Sequence, residues 1–524
     1  MKKQLVLLFS VFTLAAHSQD KSAEFAQTIT AEDLKKHLSI IASDSLEGRD
    51  TGSEGQRKAA DYISRHFAQL GLTAIAPDGK GGKGYYQYFN LYRKGWKDVY
   101  VKIGNKQKEL FKDFYPNGLL NVPQEQNVPL VFVGYGIETD KYNDYRNIDV
   151  KDKAIVFFEG EPKASDGKNL ISTDSEKSDW TENKGFQKKI NIAKEKGVKY
   201  IFMISSADAA AFKSLANERR VMLSRFNRVS FKSTTESPSS TASFVVSKEM
   251  AAEMLNLKLK KLLDLENKSE FSVKESKISF KAERGDVPVE TMNVLGFMEG
   301  TDKKDEVVLI TAHYDHVGKD EKGNVYNGAD DDGSGTCAVL EIAEAFSKAK
   351  QAGNGPRRSI LFMTVTGEEK GLLGSQYYTD NDPIIPLEKT VCDLNIDMIG
   401  RIDKEHANNE KYVYLIGADK LSSELNQVTI DVNKKYINYE YDYTFNDPKD
   451  PNRFYYRSDH YNFAKHKIPV AFYFTGVHAD YHGIGDDVEK ILFPKYQDIT
   501  RLVFHTAWEI ANREGRLKVD SNKP

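Results

Sequence analysis

Cysteine is almost missing: Cys337 and Cys392 are the only two in 524 residues. A disulfide-stapled scaffold is therefore excluded. Both thiols stand in apolar stretches beside polar motifs, where inert core residues are expected and one disulfide between them is the alternative. Charge of one sign is also scarce. Lys and Arg total 74 against 77 for Asp and Glu, a net charge of -3. Nothing in that balance draws the chain to nucleic acid or to an anionic membrane surface. Long apolar runs are lacking too. Leu5 to Ala15 is too short to span a bilayer, and no later segment does better, so no membrane span is expected. That run follows Lys2 and Lys3 and leads to Ala16-His17-Ser18, the order of a secretory signal peptide over residues 1–18. No cysteine follows it, which argues against a lipid anchor. The expected location is periplasmic or extracellular.

What is present is enough chain for two or three domains. Ala59, Ile63, Phe67 and Leu70 recur at helical spacing, and Gly71 ends that helix. Gly79 to Gly84 has neither the strand-loop-helix frame nor the ending of a phosphate cradle and reads as a surface turn. From about Trp96 the texture changes to short strands, Pro129–Val133 and Ala154–Phe158, then a helix near Phe186 to Lys196 and a strand from Val198 to Ile204. Ser233 to Ser243 reads as a mobile loop. No His/Asp/Glu constellation lies in this block, which looks like a β-rich module inserted into another domain. From Glu290 the alternation is different. Val307–Thr311, Ile360–Val365, Val391–Ile396 and Val470–Phe474 are nearly continuous apolar strands, with helical patterns such as Thr336 to Lys348 between them and a closing helix around Ile499 to Ile510. This predicts an α/β domain with a doubly covered, mostly parallel-centred mixed sheet. The resulting division is a signal peptide at 1–18, a first part of the main domain at 19–95, the insert at 96–285, the main part at 286–515 and a polar tail at 516–524.

Ligands bind at the carboxyl ends of strands in such sheets. His313, Asp330, the pair Glu368-Glu369, Asp397 and His482 each follow one of the four strands, so all fall on one edge. His313, Asp330, Glu369, Asp397 and His482 supply two imidazoles and three carboxylates, a set that suits two zinc ions, with manganese or cobalt possible. Adjacent side chains at a strand end diverge, so one of the glutamates can bind metal while the other faces a water as general base. Asp315 is placed to accept the other ring N–H of a metal-bound His313. His316, His406, His460, His466 and His478 have no spacing argument and read as structural, and Arg457 reads as a salt-bridge residue. Ser458-Asp459-His460 lacks the glycine elbow of a serine nucleophile.

These motifs resemble the secreted bacterial di-zinc aminopeptidases related to leucyl aminopeptidase and the glutamate carboxypeptidases, a zinc-exopeptidase fold. Leu46-Glu47-Gly48-Arg49-Asp50-Thr51-Gly52 is similar to that family's N-terminal signature, and Asn293-Val294 with Glu299-Gly300-Thr301 to the strand before the first ligand. Val131 to Gly136 and Ala193 to Gly197 resemble a protease-associated domain. The resemblance implies that His313 and Asp397 hold one zinc and Glu369 and His482 the other. Asp330 would bridge them and be joined to Asp331 by a cis peptide. Glu368 would be the general base, Asp315 an orienting carboxylate, and Tyr481 a donor to the tetrahedral oxyanion. The implied substrate is the N-terminus of a peptide or protein. A single-zinc glutaminyl cyclase, a carboxypeptidase on the same fold and a non-catalytic binding module are the alternatives.

Overall fold

The apolar runs after Glu290 become strands of one sheet. A computed structural model describes residues 20–521 apart from 118–119, 165, 173, 175–176, 226–228, 233–241, 267 and 269. The expected signal peptide, residues 233–241 of the Ser/Thr-rich loop and residues 522–524 of the tail lie outside the described residues. The chain divides into two units, one built before Leu91 and after Val289, the other from Leu91 to Val289.

In the first unit the strands are β1 (Ser276–Met298, through its C-terminal end), β2 (Lys303–His313), β3 (Arg358–Val365), β4 (Thr390–Ile396), β5 (Tyr412–Ile416), β6 (Glu440–Asp442) and β7 (Val470–Phe474). Their order is β6-β5-β7-β4-β2-β3-β1. The four central strands β7, β4, β2 and β3 are parallel, and β5 and β1 flank them antiparallel. The helices are α1 (Ala31–Ile41), α2 (Glu54–Gln69), α3 (Gly335–Gln351), α4 (Ser423–Tyr436), α5 (His460–Lys465) and α6 (Phe493–Asn512). Thr30 and Ser53 cap α1 and α2 by accepting from the N–H three residues on. Gly71, at φ 73°, follows the last turn of α2.

Alternation along β2 explains why both faces are covered. Val307 and Leu309 pack with Leu361, Met363, Phe463 and Ala464 on one face. Val308, Ile310 and Ala312 pack with Leu38, Ile63, Ile342, Leu502 and Phe504 on the other. Each such buried side chain contributes about 1.5–3 kcal/mol. Cys337 and Cys392 are both buried and free, in the state expected of core thiols.

The Leu91–Val289 unit holds three parallel strands, Ala154–Phe158, Tyr200–Ile204 and Ala242–Val246, extended by Val122–Phe132 on one side and Phe114–Pro116 on the other. The helices Glu182–Glu195 and Lys248–Met254 alternate with them, and apolar clusters lie on both faces. Gly79 to Gly84 is a turn whose Lys80 and Gly82 N–H groups donate to Asp78 at 2.8 Å each. Among the described residues no helix is long and apolar enough to cross a membrane.

Candidate metal centre

Parallel strands leave their loops at one edge, and the chain places its polar side chains there. His313 is the last residue of β2. The segment Ala329–Ser334 is a wide turn that enters α3. Glu368 and Glu369 follow β3, Asp397 follows β4, and His482 lies in the loop after β7. The loop behind His313 is clamped by Arg49, which is fully buried. Its guanidinium donates to the carbonyls of Tyr314 at 2.8 Å, Ile41 at 2.7 Å, Asn327 at 2.6 Å and Gly328 at 3.0 Å. Gly48 must be glycine, since a Cβ there would meet the Gly318 carbonyl at 2.2 Å. The N-terminal motif thus acts as a brace for the site.

Asp331, and not Asp330, occupies the centre. Its Oδ1 is 3.4 Å from His313 Nε2 and its Oδ2 is 3.1 Å from His482 Nε2. One carboxylate therefore faces both histidines. On the first side, Asp397 Oδ1 lies 3.7 Å from His313 Nε2, while Ser458 Oγ donates to Asp397 Oδ2 at 2.7 Å. On the second side, Glu369 Oε2 lies 3.0 Å from His482 Nε2. Glu368 Oε2 is 3.8 Å from His313 Nε2. The structure thus brings together His313, Glu368, Glu369, Asp397 and His482 as the sequence suggested, with two corrections.

The first concerns Asp330. Its Oδ1 accepts from Gly400 N at 2.6 Å, its Oδ2 is 3.4 Å from His478 Nε2, and its own N–H donates to Asp486. It faces away from His313 and His482, and the cis peptide joins Asp331 to Asp332 rather than Asp330 to Asp331. Asp332 is spoken for as well, because it accepts from the N–H groups of His313, Gly335 and Met398. Of three consecutive aspartates only Asp331 has a free carboxylate at the centre. The second correction concerns Asp315. His313 Nδ1 bonds the Asp315 backbone carbonyl at 3.1 Å, whereas the carboxylate stands 3.8 Å away. That carboxylate accepts from Thr51 Oγ1 at 2.7 Å and from Glu368 N at 3.2 Å, so it fixes the glutamate loop and braces His313 only through its main chain.

His316, which sequence spacing did not single out, completes the picture. It is fully buried with Nδ1 2.9 Å from Glu369 Oε1 and 3.8 Å from Asp331 Oδ2. No period marks it; only its place two residues after the loop has turned puts it here.

The charges need a partner. Asp331 Oδ2, Glu369 Oε1 and both ring nitrogens of His316 are buried with no hydrogen-bond partner. Burial opposes ionisation of Asp331, yet His313 and His482 hold its pKa well below the ordinary value. Burial and Asp331 push Glu369 up, but His316 and His482 bring it down to about 2. Glu368 is driven well above its ordinary value by burial and, against the pull of His313, by Glu369, Asp397 and Asp459. His482 is raised to about 10, because Asp331 and Glu369 outweigh burial. Buried carboxylates converging with imidazoles are a donor set that fits divalent metal.

Beside the carboxylates the pocket is apolar. Met398, Phe454, Phe472, Phe474 and Val477 line it together with Tyr481 and Arg457. Burial and the nearby carboxylates of Asp331, Glu369 and Glu368 push the Tyr481 hydroxyl upward, so it stays protonated. Arg457 does not form the salt bridge expected of it. Its guanidinium donates to Tyr481 Oη at 3.4 Å and lies 4.7 Å from the Phe454 ring centroid.

Comparison with known proteins shows what this stretch is similar to. Residues 293–507 match Peptidase family M28. Leucine aminopeptidase 2 of Arthroderma otae is 30% identical over 224 residues, 38% of this chain and 41% of that protein. Aminopeptidase YwaD of Bacillus subtilis is 32% identical over 111 residues, 21% of this chain and 22% of that protein. The chain thus spans less than half the length of these relatives. A zinc aminopeptidase structure from Bacillus subtilis aligns with 94% of this chain and 98% of its own at 18% identity and a TM-score of 0.47. The stretch that matches that family, residues 293–507, supplies every side chain of the centre.

Proposed function

We propose that the protein is an exported, metal-dependent aminopeptidase that hydrolyses the N-terminal bond of peptides or proteins, with two zinc ions as its cofactors. The observation that carries this reading is Asp331, whose two carboxylate oxygens face His313 and His482 separately. His313 with Asp397 and Glu369 with His482 would hold one ion each, and Asp331 would be shared. Ions held there supply Lewis acidity, polarising a peptide carbonyl and making a nearby water a stronger acid.

The chain's own groups carry the rest. Glu368 reaches toward His313 without a fixed partner of its own and stands free to take a proton from the attacking water. It then delivers that proton to the leaving amine. The Thr51–Asp315–Glu368 N connection keeps its backbone in register. Tyr481, protonated and lining the same pocket, donates to the developing oxyanion. The apolar wall of Met398, Phe454, Phe472, Phe474 and Val477 receives an apolar first side chain and excludes water from the reacting bond. The Leu91–Val289 unit is read as the protease-associated module.

Glu368→Gln tests the proton role. It is expected to retain its metal while kcat falls about 10²–10⁴-fold. Turnover near the wild-type rate would reject Glu368 as the base. Metal analysis separates this reading from a single-zinc cyclase: two equivalents at the strand-end centre support hydrolysis, one opposes it. A panel of free and N-blocked peptides decides the direction, since cleavage from C-termini would overturn the aminopeptidase assignment.

A further inference from the structure

A second group of histidines and carboxylates lies outside the strand-end centre, where α1, α2 and α3 pack together. His37 comes from α1, His66 from α2, and Glu341 and Glu344 from successive turns of α3. Residues three apart share a helix face, so both glutamates point the same way. Ligand atoms of His37, His66 and Glu344 all lie within 4.8 Å of one another. Glu341 Oε1 lies beside His37, 3.3 Å from its Nε2. His66 Nε2 is 3.9 Å from Glu344 Oε2. Ligands about 2.0–2.1 Å from a tetrahedral zinc stand roughly 3.3–3.4 Å from each other, which is the scale of these separations.

Three details distinguish this group from an ordinary buried ion pair. His37 has its Nδ1 tied to Tyr62 Oη at 2.7 Å, which leaves Nε2 to face the carboxylates. His66 Nε2 has no hydrogen-bond partner among the described residues. A second partner on the far ring nitrogen is the usual accompaniment of an imidazole ligand, because it fixes the tautomer and aims the lone pair. Glu341 is 1% exposed, and its Oε1 also lacks a hydrogen-bond partner although His37 is close. The imidazoles lie edge to face with centroids 4.7 Å apart.

We infer that His37, His66 and Glu344, with Glu341 beside His37, form a binding site for a further divalent cation of the zinc class, which ties α1 and α2 to α3. Carboxylate oxygens facing imidazole nitrogens are the donor set such a cation takes. Lys348 takes the other oxygen of Glu344 at 2.7 Å and leaves Oε2 for the site. The ion's role would be structural, since its ligands come from three packed helices away from the strand-end centre.

The test compares metal content between proteins. Wild type, His66→Gln and Glu344→Gln are stripped with chelator, reloaded with zinc, separated from free ion and analysed by elemental mass spectrometry. Wild type is expected to carry one equivalent more than either variant, with peptidase turnover unchanged in all three. Glu344 is partly exposed and can be replaced without disturbing the core, so Glu344→Gln gives an answer even where His66→Gln folds poorly. Because the readout is a difference, it holds whatever number of ions the strand-end centre binds. Equal zinc content in wild type and Glu344→Gln would overturn the site, as would loss of the extra ion from wild type on simple buffer exchange.

Discussion

Both units bury ionisable groups, and they treat them in opposite ways. In the Leu91–Val289 unit, Asp144 accepts from the N–H groups of Tyr135 and Ile137 at 3.0 Å each and from Tyr142 Oη at 2.8 Å. Glu161 accepts from the N–H groups of Ile171 and Ser172 and from Ser178 Oγ. Lys189 donates to the carbonyls of Phe158 and Gly160. In the other unit, Asp331 Oδ2, Glu369 Oε1 and His316 lie buried with no such bonds. A buried charge is costly unless compensated. In the first case backbone groups compensate and the residue is scaffold. In the second the compensation is missing from the chain itself, and the convergence of the bare atoms says where a cation goes. Burial alone does not mark a site; burial with unspent bonding capacity does.

The contrast can be broken most decisively within a single turn. Asp331 and Asp330 are neighbours of the same type, one with its carboxylate toward His313 and His482, the other bonded to Gly400 N. Asp331→Asn is expected to lose metal from the strand-end centre and to reduce kcat/KM by several orders of magnitude. Asp330→Ala should keep its metal content and lose stability instead, by about 1–3 kcal/mol, because the buried Gly400 N–H is left without an acceptor. Metal analysis and denaturant unfolding of both variants check this. If Asp330→Ala shed its metal and Asp331→Asn kept it, the assignment made from geometry would be wrong and the sequence-based choice of Asp330 right.

That pair also shows what the sequence could and could not reveal. Strand ends were legible because nearly continuous apolar runs such as Ile360 to Val365 stop abruptly at Glu368 and Glu369, and parallel strands send all such stops to one edge. Which of three consecutive aspartates turns inward was not legible, because it depends on the backbone path through Ala329–Ser334, where a shift of one residue re-aims the side chain. For Asp315 the partner was right and the atom wrong: His313 takes the main-chain oxygen, a choice that residue spacing does not encode. His37 and His66 escaped notice for a further reason. Their glutamates come from α3, hundreds of residues away, and only the packing of three helices brings them together.

A smaller effect sharpens the contrast from the other side. Lys189 is fully buried in the Leu91–Val289 unit, and burial, against the pull of Asp144, Glu159 and Glu161, lowers it from 10.5 to about 7. Between those two values the unfolded chain holds a proton that the folded chain has given up. Unfolding then takes up a proton, so stability rises with pH across this window, and the cost of burying the charge is largest at pH 7 and below. The gain from pH 7 to 10 is on the order of a few kcal/mol, at about 1.4 kcal/mol per pH unit as an upper bound. Lys189→Met removes the titrating group and leaves the Phe158 and Gly160 carbonyls without their donor, which costs about 1–3 kcal/mol at every pH. Its unfolding free energy should therefore lack this rise, and the two curves should diverge as pH increases in favour of the wild type. Denaturant unfolding followed by tryptophan fluorescence at several pH values measures the slope. Parallel curves would mean that Lys189 keeps an ordinary affinity for its proton and that the scaffold compensates its charge more fully than its bonds to Phe158 and Gly160 indicate.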